Sequence, residues 1–244
     1  MPQSVWQKLL LRKMTEHTLN FDSLDLSPET VLLEMGYDKI KPEKEVSKIL
    51  YSIFEDVAAL TRPSCTFQLL KGETGTSAIS LEKTTTLNVG TVIAKLLAGS
   101  ERFAVFAATA GSAFQQYQDK VKEKGDMLHT FILDTIGSCI AEKAGDKMES
   151  LLEKEIAGYR HTYRFSPGYC GWPLKEQKEI FRILENRPCG ILLSDVFLMH
   201  PIKSISGIIG IGNNIQERKY GCDICQLETC YKRKNKKKRH DTDK

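Results

Sequence analysis

Between residues 126 and 157 apolar side chains return every three or four positions: Leu128, Phe131, Ile132, Ile136, Cys139, Ile140, Ala144, Met148, Leu151, Leu152 and Ile156. That spacing predicts one long helix with a wide apolar face. Such a face has to be covered by another layer, so the rest of the chain is read for what can cover it. Ser27-Pro28-Glu29-Thr30 is a helix start, with Ser27 as N-cap and Pro28 in the first turn, and this helix ends at Gly36. A second helix, 42–60, places Val46, Ile49, Leu50, Ile53, Phe54 and Val57 at helical spacing before Pro63 stops it. Further helices are expected over 89–97, 112–124 and 174–185. Strands are expected at 65–73 and 76–82 about the turn GETGT, at 102–111 (RFAVFAATAG), at 189–195 and at 204–212. Residues 1–25 alternate poorly, and no internal repeat is visible. Helices cluster in the middle and strands are dispersed without regular alternation, so the expected class is α+β and not a doubly wound sheet.

The formal net charge of +4 hides an asymmetry. Eight of the 35 Lys/Arg and two of the 31 Asp/Glu fall in 231–244, which leaves the body with 27 against 29. The basic tail YKRKNKKKRHDTDK has no interleaved aromatics, so it reads as a solvated end and not as a nucleic-acid site. No run of 18 apolar residues exists to span a membrane. The first residues lack a small-residue cleavage site, which argues against a secretory signal. Seven scattered cysteines point to reduced thiols or metal ligands in a cytoplasm, not to a disulfide framework.

The stretch RFSPGYCGW, 164–172, is too irregular for a helix and carries more specific chemistry than a linker. Arg164 reads either as a surface arginine in a loop or as a fork donor for a carboxylate or similar anion. Pro167 fixes φ, Gly168 lets a ligand approach the main chain, and Tyr169 adds a flat face and a hydroxyl. Glu142 sits at the border of the long helix's apolar face, where a carboxylate can meet an ammonium group. Cys222, Cys225 and Cys230 form a tight thiol trio with one C-x2-C spacing, suited to a metal once a fourth thiol joins. Cys170, inside RFSPGYCGW, is the expected fourth ligand, with Cys189 the other choice. GIIGIGNN lacks the order of a dinucleotide loop, and GETGTS lacks the ending of a phosphate loop. No H-E-x-x-H, G-x-S-x-G or Cys/His nucleophile–base pair is found.

From about 101 to 212 the chain resembles the S-adenosylmethionine-binding activation (reactivation) domain of cobalamin-dependent methionine synthase. Four stretches carry the resemblance in the family's order: FAVFAATAG (103–111), IAEKAGDKMES (140–150), RFSPGY (164–169) and LSDVFLMHPIKSISG (193–207). It implies a twisted, mainly antiparallel sheet flanked by long helices. It also implies S-adenosylmethionine held by Arg164 at its carboxylate and Glu142 at its ammonium. Ser166 and Gly168 would hold the adenosine part through backbone groups, with Tyr169 lining the site; Tyr220 is a loose counterpart of a late tyrosine. The organisation expected from this is an N-terminal region 1–100 packed on a core at 101–220, followed by a cysteine cluster and tail at 221–244.

The resemblance implies reductive methylation of a cobalamin or other corrinoid. The sequence carries no Asp-x-His-x-x-Gly segment, so the corrinoid is expected on a partner, a corrinoid-binding protein or cobalamin-dependent methyltransferase, with an electron donor such as flavodoxin. In that chemistry reduced cobalt is the nucleophile, so the protein has only to place the methyl group. The rival expectation is a metal-thiolate protein, with an iron–sulfur cluster or zinc on Cys222, Cys225, Cys230 and Cys170, that reduces or senses a corrinoid partner.

Overall fold

The computed structural model describes residues 14–82, 85–156 and 158–215. In chain order its elements are β1 (Thr15–Thr18), α1 (Pro28–Glu34), α2 (Lys44–Leu60), β2 (Ser64–Thr74), β3 (Ile79–Leu81), β4 (Thr85–Leu87), α3 (Gly90–Leu96), β5 (Arg102–Thr109), α4 (Ser112–Glu123) and α5 (Met127–Glu155). After them come β6 (Arg160–His161), α6 (Gln177–Ile183), β7 (Leu192–Leu193), β8 (Met199–His200) and β9 (Ser204–Gly212).

The sequence RFAVFAAT becomes the middle of an antiparallel sheet ordered β4-β3-β2-β5-β9-β6. β2 pairs with β5 on one edge, and β1 takes the other edge of β2 from Ser64 to Phe67. Successive side chains of a strand point to opposite faces. Phe103, Val105 and Ala107 therefore enter one core cluster with α3 and α6, while Ala104, Phe106 and Ala108 enter another with Ala144, Met148 and Leu152 of α5. Both faces are covered, which is why β5 reads as an unbroken apolar run.

At 1.5 Å per residue α5 is roughly 44 Å long, longer than the sheet face it covers. Its C-terminal half packs on the sheet. Its N-terminal half, through Ile132, Leu133, Ile136 and Ile140, packs with α1, α2 and Phe114 of α4. Asp126 caps its start, accepting a hydrogen bond from the His129 N–H at 2.9 Å. Ser27 caps α1 in the same way, accepting from the Thr30 N–H.

The expected α+β class with a mainly antiparallel sheet and flanking long helices is the observed one. Three local expectations change. The strand expected over 189–195 shrinks to Leu192–Leu193, because Pro188–Gly190 forms a 3-10 turn with Cys189 at φ 54°. The helix expected over 174–185 opens as a 3-10 turn at Leu174–Glu176 before α6 begins. Phe131, assigned to the apolar face of the long helix, is 54% exposed. Among the described residues no helix is long and apolar enough to cross a membrane.

Candidate functional site

After α5 the chain returns along the outer edge of β9. The Thr162 N–H donates to the Gly210 carbonyl at 2.8 Å, and the Gly210 N–H donates to Thr162 Oγ1 at 2.9 Å. Phe165 and Ile208 exchange two backbone hydrogen bonds, 3.0 and 2.8 Å long. The backbone comes so close here that a Cβ at residue 207 would collide with the Phe165 carbonyl, so glycine is required at Gly207. Phe165 is buried in the same core cluster as Trp172, and the alternation of an extended segment turns its neighbour Arg164 to the other side, onto α5.

There the Arg164 guanidinium meets three carboxylates. Its Nη2 lies 2.8 Å from Asp146 Oδ1 and 3.4 Å from Glu142 Oε2, and its Nη1 lies 3.7 Å from Glu149 Oε2. Positions 142, 146 and 149 are one and two turns apart on a single helix face, which sets them in a row beneath the cation. Gly145 makes the approach possible, since a Cβ there would overlap Arg164 Nη1. The Arg164 side chain is only 18% exposed. Glu142 and Asp146 stand mostly in solvent, whereas Glu149 is largely covered. Burial pushes the Glu149 carboxyl above the ordinary carboxylate range, and the positive charges of Arg164 and His161 oppose that rise. His161 extends the row, with Nδ1 3.6 Å from Glu149 and Nε2 3.3 Å from Glu153.

The segment then leaves the sheet. Ser166 is half-buried, Gly168 is exposed at φ 93°, and Tyr169 is 59% exposed. The turn is closed by the Gly168 N–H donating to the Trp172 carbonyl at 2.8 Å and the Trp172 N–H donating to the Tyr169 carbonyl at 2.9 Å. Trp172 is buried and anchors the turn in the core. Behind it the Asn88 N–H and Nδ2 donate to the two carboxylate oxygens of buried Glu176, at 2.8 and 3.3 Å, tying the start of α6 to the loop before α3.

Arg164 and Glu142, far apart in sequence, are thus in contact, and Ser166, Gly168 and Tyr169 follow Arg164 on the same segment. Cys170 packs against the core cluster that holds Trp172. Cys222, Cys225, Cys230 and Tyr220 lie outside the described residues, as does the basic tail. Among the described residues no group of three His, Cys, Asp or Glu is arranged to hold a metal ion. Burial pushes the Cys189 thiol up to about 12. Asp146 and Glu149 are partners of Arg164 that the sequence reading missed. Their spacing from Glu142, four and then three residues, is visible in EKAGDKME, but nothing local links it to Arg164.

The class defined by these features is an α+β domain in which a sheet-edge segment lays an arginine across the carboxylate row of a long helix. A family model described as vitamin B12 dependent methionine synthase, activation domain, matches residues 52–237, and the chain belongs to that family. Among solved structures it is similar to a MetH reactivation domain bound to AdoHcy, at 17% identity and a TM-score of 0.66, over 87% of this chain and 82% of that one. No curated protein sequence matches it. The match begins at residue 52, well ahead of the 101 expected from the sequence motifs.

Proposed function

We propose that the chain binds S-adenosylmethionine at the Arg164–Glu142 pair and presents its methyl group to a corrinoid carried by a partner, in the reductive reactivation of a cobalamin-dependent methyltransferase of the methionine synthase type. The observation that carries this reading is the pair itself. A guanidinium nitrogen and a carboxylate oxygen stand 3.4 Å apart beside solvent. The amino-acid end of S-adenosylmethionine carries the opposite charges in matching order, a carboxylate for Arg164 and an ammonium for Glu142. Entry of the zwitterion replaces the Glu142 and Asp146 contacts of Arg164 Nη2 with the ligand carboxylate and gives Glu142 the ammonium as its new partner. The AdoHcy in the similar solved domain, the same molecule without its methyl group, supports this ligand class.

Membership in the activation-domain family supports a cobalamin-bearing partner. The bond-making chemistry belongs to that corrinoid, which needs an electron and then accepts the sulfonium methyl. The residues of this chain bind and orient. Arg164 and Glu142 fix one end of the ligand, while the Ser166–Tyr169 backbone and the Tyr169 ring face the adenosine portion. Orientation of this kind is a large part of the rate when the two reactants ride on different proteins. The test is reconstitution with S-adenosylmethionine, a low-potential reductant and a corrinoid protein loaded with cob(II)alamin. Methylcobalamin should appear faster with the chain present, and Arg164→Ala should abolish most of the gain. A rate independent of this chain would refute the proposal.

A further inference from the structure

The three carboxylates under Arg164 are not equivalent. Asp146 and Glu142 approach Nη2 and are 50% and 63% exposed, so both can turn into water when a ligand arrives. Glu149 approaches Nη1 and is 22% exposed, with no comparable freedom to leave. Nη1 is itself buried and makes no hydrogen bond, so the ion pair with Glu149 is the contact that holds that side of the fork. Gly145 lets the guanidinium lie close against α5, where a Cβ at that position would overlap both Arg164 and Ile205.

We propose that Glu149 is a positioning residue. It pins one nitrogen of the Arg164 guanidinium to α5 so that the other stays presented to a ligand carboxylate, while Asp146 serves as the exchangeable stand-in for that carboxylate when the site is empty. The proposal rests on the S-adenosylmethionine reading and adds two residues to it. Burial works against ionising Glu149, and Arg164 and His161 counteract that burial. A carboxylate placed against its own folding preference and beside a ligand-facing arginine serves function at some expense to stability. Asp146 and Glu149 then differ in sign. Removing the stand-in frees the fork for the ligand, whereas removing the anchor lets the fork swing out of register.

The experiment uses the full chain and two ligands: AdoHcy, and 5′-methylthioadenosine, which has the adenosine and sulfur but no amino-acid end. Affinities are measured by calorimetry for the wild type, Glu149→Gln and Asp146→Asn. Glu149→Gln should weaken AdoHcy by roughly tenfold while leaving methylthioadenosine within about twofold. Asp146→Asn should bind AdoHcy as tightly as the wild type or tighter. An equal loss for both ligands in Glu149→Gln would show a merely structural role and overturn the proposal, and so would unchanged AdoHcy binding. Should Glu149→Gln fail to fold, Asp146→Asn still decides: a tenfold loss there would make Asp146 a ligand partner and not a stand-in. Failure of the wild type to bind either ligand would instead bring down the S-adenosylmethionine reading, and the proposal with it.

Discussion

Glu149 is a carboxylate whose charge burial works against. Its carboxyl is held above the ordinary range by burial, against the charges of Arg164 and His161, so ionising it costs more in the folded chain than in the unfolded one. A raised carboxyl pKa contributes stability that is fully present below the unfolded value and lost as pH rises through the folded one. That contribution is absent at pH values above the raised folded-state pKa. Glu149→Gln, which cannot ionise, should therefore melt no lower than the wild type at pH 7. Its advantage should shrink to nothing as pH falls through the carboxylate range, where wild-type Glu149 takes up a proton. Thermal melts from pH 7 down to about pH 4 check this; a variant that melts lower at pH 7 would mean that the bond to Arg164 outweighs the burial. The sequence makes Arg164 and Glu142 legible, because RFSPGY and IAEK stand in a recognisable order. It does not make Glu149 legible, because a carboxylate on a helix is an ordinary solvated charge until the tertiary fold lays a cation over it.

Among the elements, β5 and α5 were readable because their burial patterns are long. β5 is apolar on both faces, and α5 keeps its period through both of the cores it serves. The short strands were not. β1 is TEHT, a polar edge segment with little apolar signal, and β4 and β6 have only three and two residues. CGILLSD had the composition of a strand, yet its first residues turn after Pro188 and its last residues enter the turn that joins β7 to β8. The start of α6, just after Trp172, is held by a tertiary tie that no local pattern displays, the buried Glu176 carboxylate accepting two hydrogen bonds from Asn88. Glu176→Ala leaves the Asn88 N–H without its partner, and such a loss typically costs about 1–3 kcal/mol. Glu176→Gln keeps an acceptor and should lose less. Urea denaturation of the two variants beside the wild type measures the difference; an alanine variant as stable as the wild type would show that water replaces the carboxylate at no cost.

Over the whole molecule, the sheet brings together stretches that are remote along the chain. β2, β5 and β9 form its centre, and β9 is the strand along whose outer edge Arg164 is delivered to α5. The motif-bearing part of the sequence, 101–212, understated the family's extent, which reaches back to 52. Residues 64–97 fold as one long strand, two short ones and one helix whose apolar positions enter the cores, and such stretches carry no polar signature for the eye to catch. The central claim is that this architecture exists to hold the amino-acid end of S-adenosylmethionine between Arg164 and Glu142. Calorimetric titration of AdoHcy into the wild type and into Arg164→Ala tests it most directly. The wild type should bind, and Arg164→Ala should lose roughly ten- to a hundredfold in affinity, as expected when a charged partner of a bound carboxylate is removed. Equal affinity in the two proteins, or no binding by the wild type, would contradict it.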